Sequence, residues 1–222
     1  MSELLNKFKQ LCTTTLILPD NGEIKLTKVN VDFQSKLHDA LGDIDYSDTS
    51  IVLRYLQYVN EYIINIDLNR QFTYKDKLCI INFWRQDIID EQNPFNVKDL
   101  NVIDKLKDIS LELQLNKIKA SIKFTQCNLM HENNIIDFLL NKEKELNETD
   151  ILFFDSFRFL HSIAVDDKDY ETANLSIGEL YELYLLFDID NIKQITQTIS
   201  STFESISNIR NHEGDFSAFY LF

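Results

Sequence analysis

The sequence predicts an α+β fold that is predominantly helical and carries two β-hairpins, near residues 13–30 and 108–125. Two segments with apolar and polar residues alternating around a turn predict the hairpins, because successive side chains of a strand point to opposite faces. Longer segments repeat apolar residues at the 3.6-residue period of an amphipathic helix. With 222 residues, 44% of them hydrophobic, the chain has ample apolar material for a core.

The first hairpin is centred on the turn Pro19-Asp20-Asn21-Gly22, which follows the apolar segment Leu16-Ile17-Leu18. An Asn-Gly pair in a two-residue loop suits the positive φ angles of a hairpin turn, and Pro19 is expected to end the first strand. The turn is conspicuous because the whole chain has only four glycines and two prolines.

Three helices are predicted between the two hairpins. Asp32 can cap a short helix that Gly42 ends, because aspartate accepts hydrogen bonds from free backbone N–H groups at a helix start and glycine suits a helix end. Another helix begins at Thr73 and ends before Pro94. A longer helix lies between them, and its apolar positions are Val52, Tyr55, Leu56, Val59, Tyr62, Ile63 and Ile66.

The second hairpin is predicted from a change of period in the middle of the chain. Apolar and polar residues alternate over 109–115, and after Asn116-Lys117 the alternation resumes through Phe124. One face of this hairpin is therefore polar. Lys119 and Lys123 share that face, where lysines more often serve solubility and edge protection than binding.

The last third of the chain is predicted to be helical again. The apolar positions of its first part are Ile135, Ile136, Leu139, Leu140, Leu152, Phe153, Phe157, Leu160 and Ile163. Ser176 and Glu179 have the spacing of a capping box, in which each side chain bonds a free backbone donor at a helix start. Asp190 can cap a final helix whose apolar stripe runs from Ile192 to Ile209.

No low-complexity linker or fixed-period repeat interrupts the chain. The simplest interpretation is one compact domain over residues 1–222. A subdivision stays open, with the first hairpin and its helices in 1–94 and the second hairpin and the later helices in 95–222.

The chain is strongly acidic, with a formal net charge of -14 and an isoelectric point near 4.6. Such a charge repels phosphate backbones, which disfavours general binding to nucleic acid. Much of the acid falls within residues 141–190, which we expect to form either a solvated face or a surface for a basic protein partner. These acids are Glu143, Glu145, Glu148, Asp150, Asp155, Asp166, Asp167, Asp169, Glu171, Glu179, Glu182, Asp188 and Asp190.

The cysteines Cys12, Cys79 and Cys127 are too few and too widely spaced for a disulfide framework or a paired-cysteine zinc site. We expect reduced core thiols in a cytosolic setting. The first residues do not place a basic region before an apolar run, and no segment reaches the roughly 20 apolar residues that span a bilayer. Neither a cleaved secretion signal nor a membrane span is predicted.

No motif indicates a catalytic, cofactor-binding or metal-binding site. The scattered glycines form neither a phosphate-binding loop nor a dinucleotide fingerprint. His131-Glu132 begins like a zinc-protease helix, but Ile135 stands where the second histidine is needed. The segment starting at Asp43 lacks the glycine of a calcium loop, where Asp48 stands, and its glutamate, where Arg54 stands. The prediction is a non-enzymatic protein without cofactor or metal.

The C-terminal segment carries four aromatic residues where chain ends are usually polar. Buried interfaces use aromatic anchors because these desolvate a large area with few rotatable bonds. The segment can fold back on the chain's own core or dock on a partner, and both alternatives stay open. The candidate interface residues are Phe216, Phe219, Tyr220 and Phe222.

The order of hairpin, helix and aromatic segments carries a resemblance to a known family. The hairpin over 16–26 leads into Val29-Asn30-Val31-Asp32-Phe33, and a helix then reaches the apolar-plus-arginine segment Ile80-Ile81-Asn82-Phe83-Trp84-Arg85. The phenylalanine-rich Leu152-Phe153-Phe154-Asp155-Ser156-Phe157 and the aromatic C-terminus come later. In these features the chain resembles the baseplate hub and hub-assembly proteins of contractile-tailed, T-even-like bacteriophages.

The resemblance implies a non-enzymatic role in building the hub of a phage tail, with other tail and hub proteins as partners. It leaves open whether the protein is a virion component or an assembly factor that leaves. Its expected location is the host cytoplasm during assembly, or the tail baseplate of the virion. The alternative hypothesis is an acidic binding module, a chaperone or inhibitor that engages a basic protein through residues 141–190. A third, an enzyme with an unrecognised site, requires a pocket with convergent polar groups.

Overall fold

The computed structural model describes residues 13–27, 49–89, 97–115, 118–142, 145–166 and 168–208, together with Lys7 and Ser35. Within these ranges the chain forms helices, a two-stranded sheet and a four-stranded sheet, which confirms the predicted α+β class. The predicted short helix from Asp32 to Gly42, apart from Ser35, and the acidic segment 43–48 lie outside the described residues.

The first predicted hairpin is present as strands β1 (Thr13–Leu18) and β2 (Gly22–Thr27), which pair antiparallel with Leu18 opposite Gly22. The turn covers residues 19–21, so Gly22 opens the second strand instead of completing a two-residue loop as predicted. Gly22 has a φ of 67°, a left-handed conformation that residues with a Cβ rarely adopt. Glycine is therefore needed at this position, but the turn that it follows has three residues instead of the predicted two.

Helices α1 (Thr49–Ile64) and α2 (Tyr74–Ile89) lie where the apolar spacing predicts them. The buried side chains of α1 include Leu53, Tyr55, Leu56, Val59 and Ile63. Helix α2 starts with a capping box, because the Thr73 hydroxyl accepts from the backbone N–H of Asp76 at 3.3 Å and the Asp76 carboxylate accepts from that of Thr73 at 3.1 Å. The predicted helix start at Thr73 is confirmed.

The turn of the first hairpin is bound to the start of α2. The backbone N–H of Asp20 donates to Asp76 at 3.1 Å, and the carbonyl of Asn21 accepts from Arg70 at 2.6 Å. The Asp20 carboxylate forms an ion pair with Lys75 at 2.8 Å. Burial acts to raise the pKa of Asp20, but hydrogen bonds led by the one from Lys75 outweigh it and lower the pKa. The turn thus positions the hairpin on the helix.

A 3₁₀ helix over Val97–Asp108 follows, and the sequence did not predict it. It buries Leu100, Ile103 and Leu106 completely. A 3₁₀ helix makes one turn in three residues, so side chains three positions apart lie on one face. The spacing of these three residues agrees with that geometry.

The second sheet has the strand order β3 (Ser110–Leu115), β4 (Ile118–Phe124), β5 (Leu160–Val165) and β6 (Lys168–Glu171), and neighbouring strands are antiparallel. Strands β3 and β4 are the second predicted hairpin, which is confirmed. Strands β5 and β6 extend its sheet and were not predicted.

Between β4 and β5 the chain forms helices α3 (Leu129–Leu140) and α4 (Glu148–Phe157). The prediction that helix continues through Leu160 and Ile163 is wrong. These residues are three positions apart, a spacing that suits a helix. The structure instead places them in β5, which pairs antiparallel with residues 120–124 of β4. Asp166, with a φ of 49°, then turns the chain into β6.

Helix α5 (Ile177–Leu185) begins with the predicted capping box of Ser176 and Glu179, in which both reciprocal hydrogen bonds are present. Helix α4 begins with another capping box, formed by Asn147 and Asp150. Each box satisfies backbone donors that a helix start leaves free.

Helix α6 (Ile189–Asn208) ends the described part of the chain. Its cap is Asp188 and not the predicted Asp190, because the Asp188 carboxylate accepts from the backbone N–H of Asn191 at 2.8 Å. The helix therefore begins one residue before Asp190.

The buried apolar side chains form one cluster that extends from Leu18 in the first hairpin to Ile199 in α6. Cys79 and Cys127 are buried and unpaired, as predicted for core thiols, and burial raises the pKa of Cys79 to about 11. Cys12 lies outside the described residues. The single-domain prediction covers residues beyond the described ranges and stays a prediction. None of the described helices combines the length and the apolar character needed to cross a bilayer.

Candidate functional site

Three aliphatic side chains stand in solvent at the corner between α5 and α6. Leu185, Leu186 and Ile189 are 56%, 76% and 58% exposed. They fall within five consecutive positions, on either side of a tight connection in which the backbone N–H of Phe187 donates to the carbonyl of Tyr184 at 3.0 Å. We call these three residues the apolar corner. Single exposed aliphatic residues are ordinary, whereas adjacent ones mark a surface that can bind a partner.

The apolar corner rests on buried aromatic rings. Tyr184 and Phe187 are directed into the core, and both rings contact Phe157 edge to face, at centroid distances of 5.4 and 5.8 Å. Because these two residues point inward, Leu185 and Leu186 between them point outward. The corner is thus a consequence of how the chain buries its neighbouring aromatic residues.

A hydrogen bond between Tyr184 and Thr149 connects α5 to α4. The Tyr184 hydroxyl donates to the carbonyl of Thr149 at 2.9 Å, and burial raises the pKa of Tyr184 to about 12. A buried tyrosine whose hydroxyl has a partner holds both helices in one relative position. This bond anchors α5, which presents Leu185 and has Leu186 as its C-cap.

A second contact between α4 and α5 is a triangle of polar groups. The Lys142 ammonium donates to the Asp150 carboxylate and to the Tyr181 hydroxyl, which in turn donates to Asp150 at 2.8 Å. The ammonium also lies 4.3 Å from the centroid of the Tyr181 ring. Burial acts to raise the pKa of Asp150, but the hydrogen bonds from Lys142 and Tyr181 outweigh it and lower the pKa.

The acidic stretch 141–190 is not one continuous solvated face. Asp150 is buried in the triangle, Glu179 serves a capping box, and Asp169 pairs with Lys123 across the second sheet at 2.7 Å. Glu143 and Asp167 lie outside the described residues. The acids that stay exposed beside the apolar corner are Glu182, Asp188 and Asp190, and we call them the acidic rim.

Within the described ranges, the acidic rim has little compensating positive charge. Asp190 lies 3.9 Å from Lys193, but both side chains are mostly exposed, and such surface pairs contribute about 0–1 kcal/mol. Asp188 caps α6 through its carboxylate and has an exposed side chain. A partner that covers the apolar corner therefore meets negative potential at the edge.

The sequence did not predict a buried ionic cluster around Glu132. Lys77 donates to both oxygens of its carboxylate at 3.1 Å, and Arg158 donates to one of them at 2.9 Å. Burial acts to raise the pKa of Glu132, but the two cations outweigh it, Lys77 first, and lower the pKa. The three residues are far apart in sequence, so no local pattern signals the cluster.

The aromatic candidates Phe216, Phe219, Tyr220 and Phe222 lie outside the described residues. Across the described ranges, no group of three or more histidine, cysteine, aspartate or glutamate residues is arranged to hold a metal ion.

Comparison of the chain with protein-family models, with curated proteins and with solved structures found no match. The function is therefore inferred from the chain's own residues and their geometry.

Proposed function

We propose that this chain is a non-enzymatic protein-binding protein of a phage tail baseplate hub, as a hub component or as a factor in its assembly, and that it binds its partner through the apolar corner. The observation that carries the binding role is the exposure of Leu185, Leu186 and Ile189 on a rigid aromatic base. The hub setting is supported by the order of hairpin, helix and aromatic segments in the sequence.

The apolar corner and the acidic rim are arranged like the centre and the edge of a protein interface. Interfaces have an apolar centre that loses water on binding and a polar rim around it. Burying one exposed leucine completely is worth about 1.5–3 kcal/mol, so three adjacent aliphatic residues supply a useful part of a binding free energy. Little of this gain is spent on ordering the backbone, because Tyr184 and Phe187 already hold it in place.

The complementary partner has an apolar groove with basic residues at its edge. The acidic rim repels acidic competitors and attracts such a groove at long range. The same rim supports the second candidate function, a chaperone or inhibitor that engages a basic protein through residues 141–190. The two functions share one surface and differ in the partner.

The test is capture of tail proteins from extracts of cells infected with a phage that encodes this chain. We expect the tagged protein to retain baseplate hub or tail components, identified by mass spectrometry. The variant L186S should lose at least about tenfold of the captured material, because about 1.4 kcal/mol of binding corresponds to tenfold. The matched control is I17S, since Ile17 is 74% exposed and Leu186 76%.

The outcomes separate the hypotheses. Capture of no tail component refutes the hub setting, and equal losses in the two variants refute the apolar corner as the interface. Salt distinguishes the second candidate: binding carried by the acidic rim disappears at 1 M ionic strength, where the Debye length is about 3 Å, and binding carried by the corner persists.

A further inference from the structure

A cavity of about 580 Å³ opens on the part of the molecule where the loop after α1, the start of α3 and the start of β5 meet. Its lining includes Phe72, Leu160, Gln126, His131, His161 and Arg70. Sites for small molecules have volumes of about 300–1,000 Å³, with mainly apolar walls and a few polar groups. The cavity shares no residue with the apolar corner, so a ligand bound in it is independent of the proposed function.

Three hydrogen bonds connect the walls of the cavity. The carbonyl of Phe72 accepts from the backbone N–H of Leu129 at 3.0 Å, which joins the loop to α3. The backbone N–H of Thr125 donates to the carbonyl of Phe159 at 2.9 Å, and the Thr172 hydroxyl donates to that of Leu160 at 2.8 Å. The cavity is therefore formed before any ligand arrives.

The charge of the lining contrasts with that of the protein. The chain has 36 acidic residues, yet none of the described lining residues is aspartate or glutamate. The cationic or protonatable groups in the lining are Arg70, His131 and His161. An acidic protein that leaves one cavity free of carboxylates provides a local environment in which an anion is tolerated.

Three acids that bond to lining residues or adjoin them in sequence are already engaged. Asp67 accepts from Arg70 at 2.9 Å, and Asp20 pairs with Lys75 at 2.8 Å. Glu132, the neighbour of His131 in sequence, is bound by buried cations. Their charges are thus partly offset.

Two buried polar atoms in the lining have no hydrogen-bond partner among the described residues. They are Oε1 of Gln126 and Nε2 of His131. The Gln126 amide nitrogen donates to Asp20 at 3.0 Å, which leaves its oxygen as a free acceptor. Burial lowers the pKa of His131, so the ring is neutral and one of its nitrogens is an acceptor. An unsatisfied buried polar group costs about 1–3 kcal/mol, which a ligand with an N–H or O–H donor can recover.

We propose that this cavity binds a small organic anion that has a flat apolar body and one N–H or O–H donor. The apolar body lies against Leu68 and Met130, lining residues that are 75% and 53% exposed, and the donor meets Gln126 or His131. The anionic group lies at the mouth, near the partly exposed Arg70 and the exposed His161. Each part of the ligand thus has a matching part of the lining.

The test uses 8-anilinonaphthalene-1-sulfonate, which has a sulfonate, an apolar ring system and one N–H donor. We expect a saturable increase of its fluorescence with one site per chain. N-phenyl-1-naphthylamine, which lacks the sulfonate, should bind about tenfold more weakly, because the anionic contact is lost.

Two substitutions locate the site. Ala173 is an exposed lining residue, so A173W should fill the mouth and weaken binding of the anionic probe at least about tenfold, whereas N174W, beside it but outside the lining, should not. H161Q removes an exposed imidazole at the mouth and should weaken binding of the anionic probe about threefold, with no change for the neutral probe. Thermal unfolding of each variant verifies that it folds.

Absence of saturable probe binding overturns the proposal, as does equal binding of the two probes. Binding that survives A173W, or that disappears in L186S, places the probe elsewhere and also overturns it. Retained capture of tail proteins by A173W would leave the proposed function intact in every one of these cases.

Discussion

The buried cluster around Glu132 supports a prediction in which two substitutions of interacting residues have unequal effects. The side chain of Glu132 is 0% exposed, and those of Lys77 and Arg158 are each 3% exposed. E132Q removes the negative charge at the centre of the cluster. Arg158 still has Asp155 at 3.6 Å, so the uncompensated charge falls mainly on Lys77. Breaking a buried ion pair in this way costs about 3–5 kcal/mol.

K77M should cost much less, under about 1.5 kcal/mol. It removes a buried cation but leaves Glu132 hydrogen-bonded to Arg158 at 2.9 Å. Burial already lowers the pKa of Lys77, so the ammonium is held at a desolvation cost that methionine does not carry. The combination E132Q/K77M should recover part of the loss caused by E132Q.

Urea unfolding followed by circular dichroism measures these free energies of unfolding. The surface substitution D190N is the control and should change them by less than about 0.5 kcal/mol. The deficit of E132Q should also shrink as the pH rises toward 10.5, the ordinary pKa of lysine, because Lys77 then becomes neutral in the unfolded chain as well. Equal costs for E132Q and K77M would refute the reasoning from charge balance.

Three further predictions concern stability. G22A should cost about 1–2 kcal/mol of unfolding free energy because Gly22 has a φ of 67°. G178A lies inside α5, where an added Cβ would be 3.9 Å from the Phe138 ring, and should be neutral or slightly stabilising. Thermal unfolding compares the two variants, and equal effects would contradict the argument. Asp150 has a lowered pKa, so its contribution to the free energy of unfolding is complete above its ordinary pKa of 3.8 and is lost as the pH falls through its lowered pKa. D150N should therefore make the free energy of unfolding less dependent on pH in the acid range, and an unchanged dependence would contradict this argument. L186S should change the free energy of unfolding by less than about 0.5 kcal/mol, since the side chain is 76% exposed; a larger loss would show that it supports the fold.

The elements that the sequence predicts correctly are those with a strong local signal. The apolar stripe of α1, the alternation in β3 and β4, and the capping box of Ser176 and Glu179 each lie within one continuous segment. Local signals fail where two structures share a spacing. Leu160 and Ile163 suit a helix as well as a strand, and only the available edge of β4 decides between them.

The candidate sites were less predictable than the fold. The apolar corner falls within the stretch 141–190 that the sequence singles out for its acids, but the sequence does not show that Tyr184 and Phe187 turn inward. The cavity combines residues from four separate parts of the chain. No spacing in the sequence connects His131 with His161.

By itself the sequence determined the helices α1 to α6, the two hairpins, the acidic charge and the position of the turn before Gly22, because periodicity, composition and backbone φ are properties of neighbouring residues. The tertiary structure decided which leucines remain exposed, which carboxylate is buried between two cations, and which histidines share a cavity. These outcomes depend on contacts between residues that are distant in sequence, and packing selects among such contacts only when the whole core assembles.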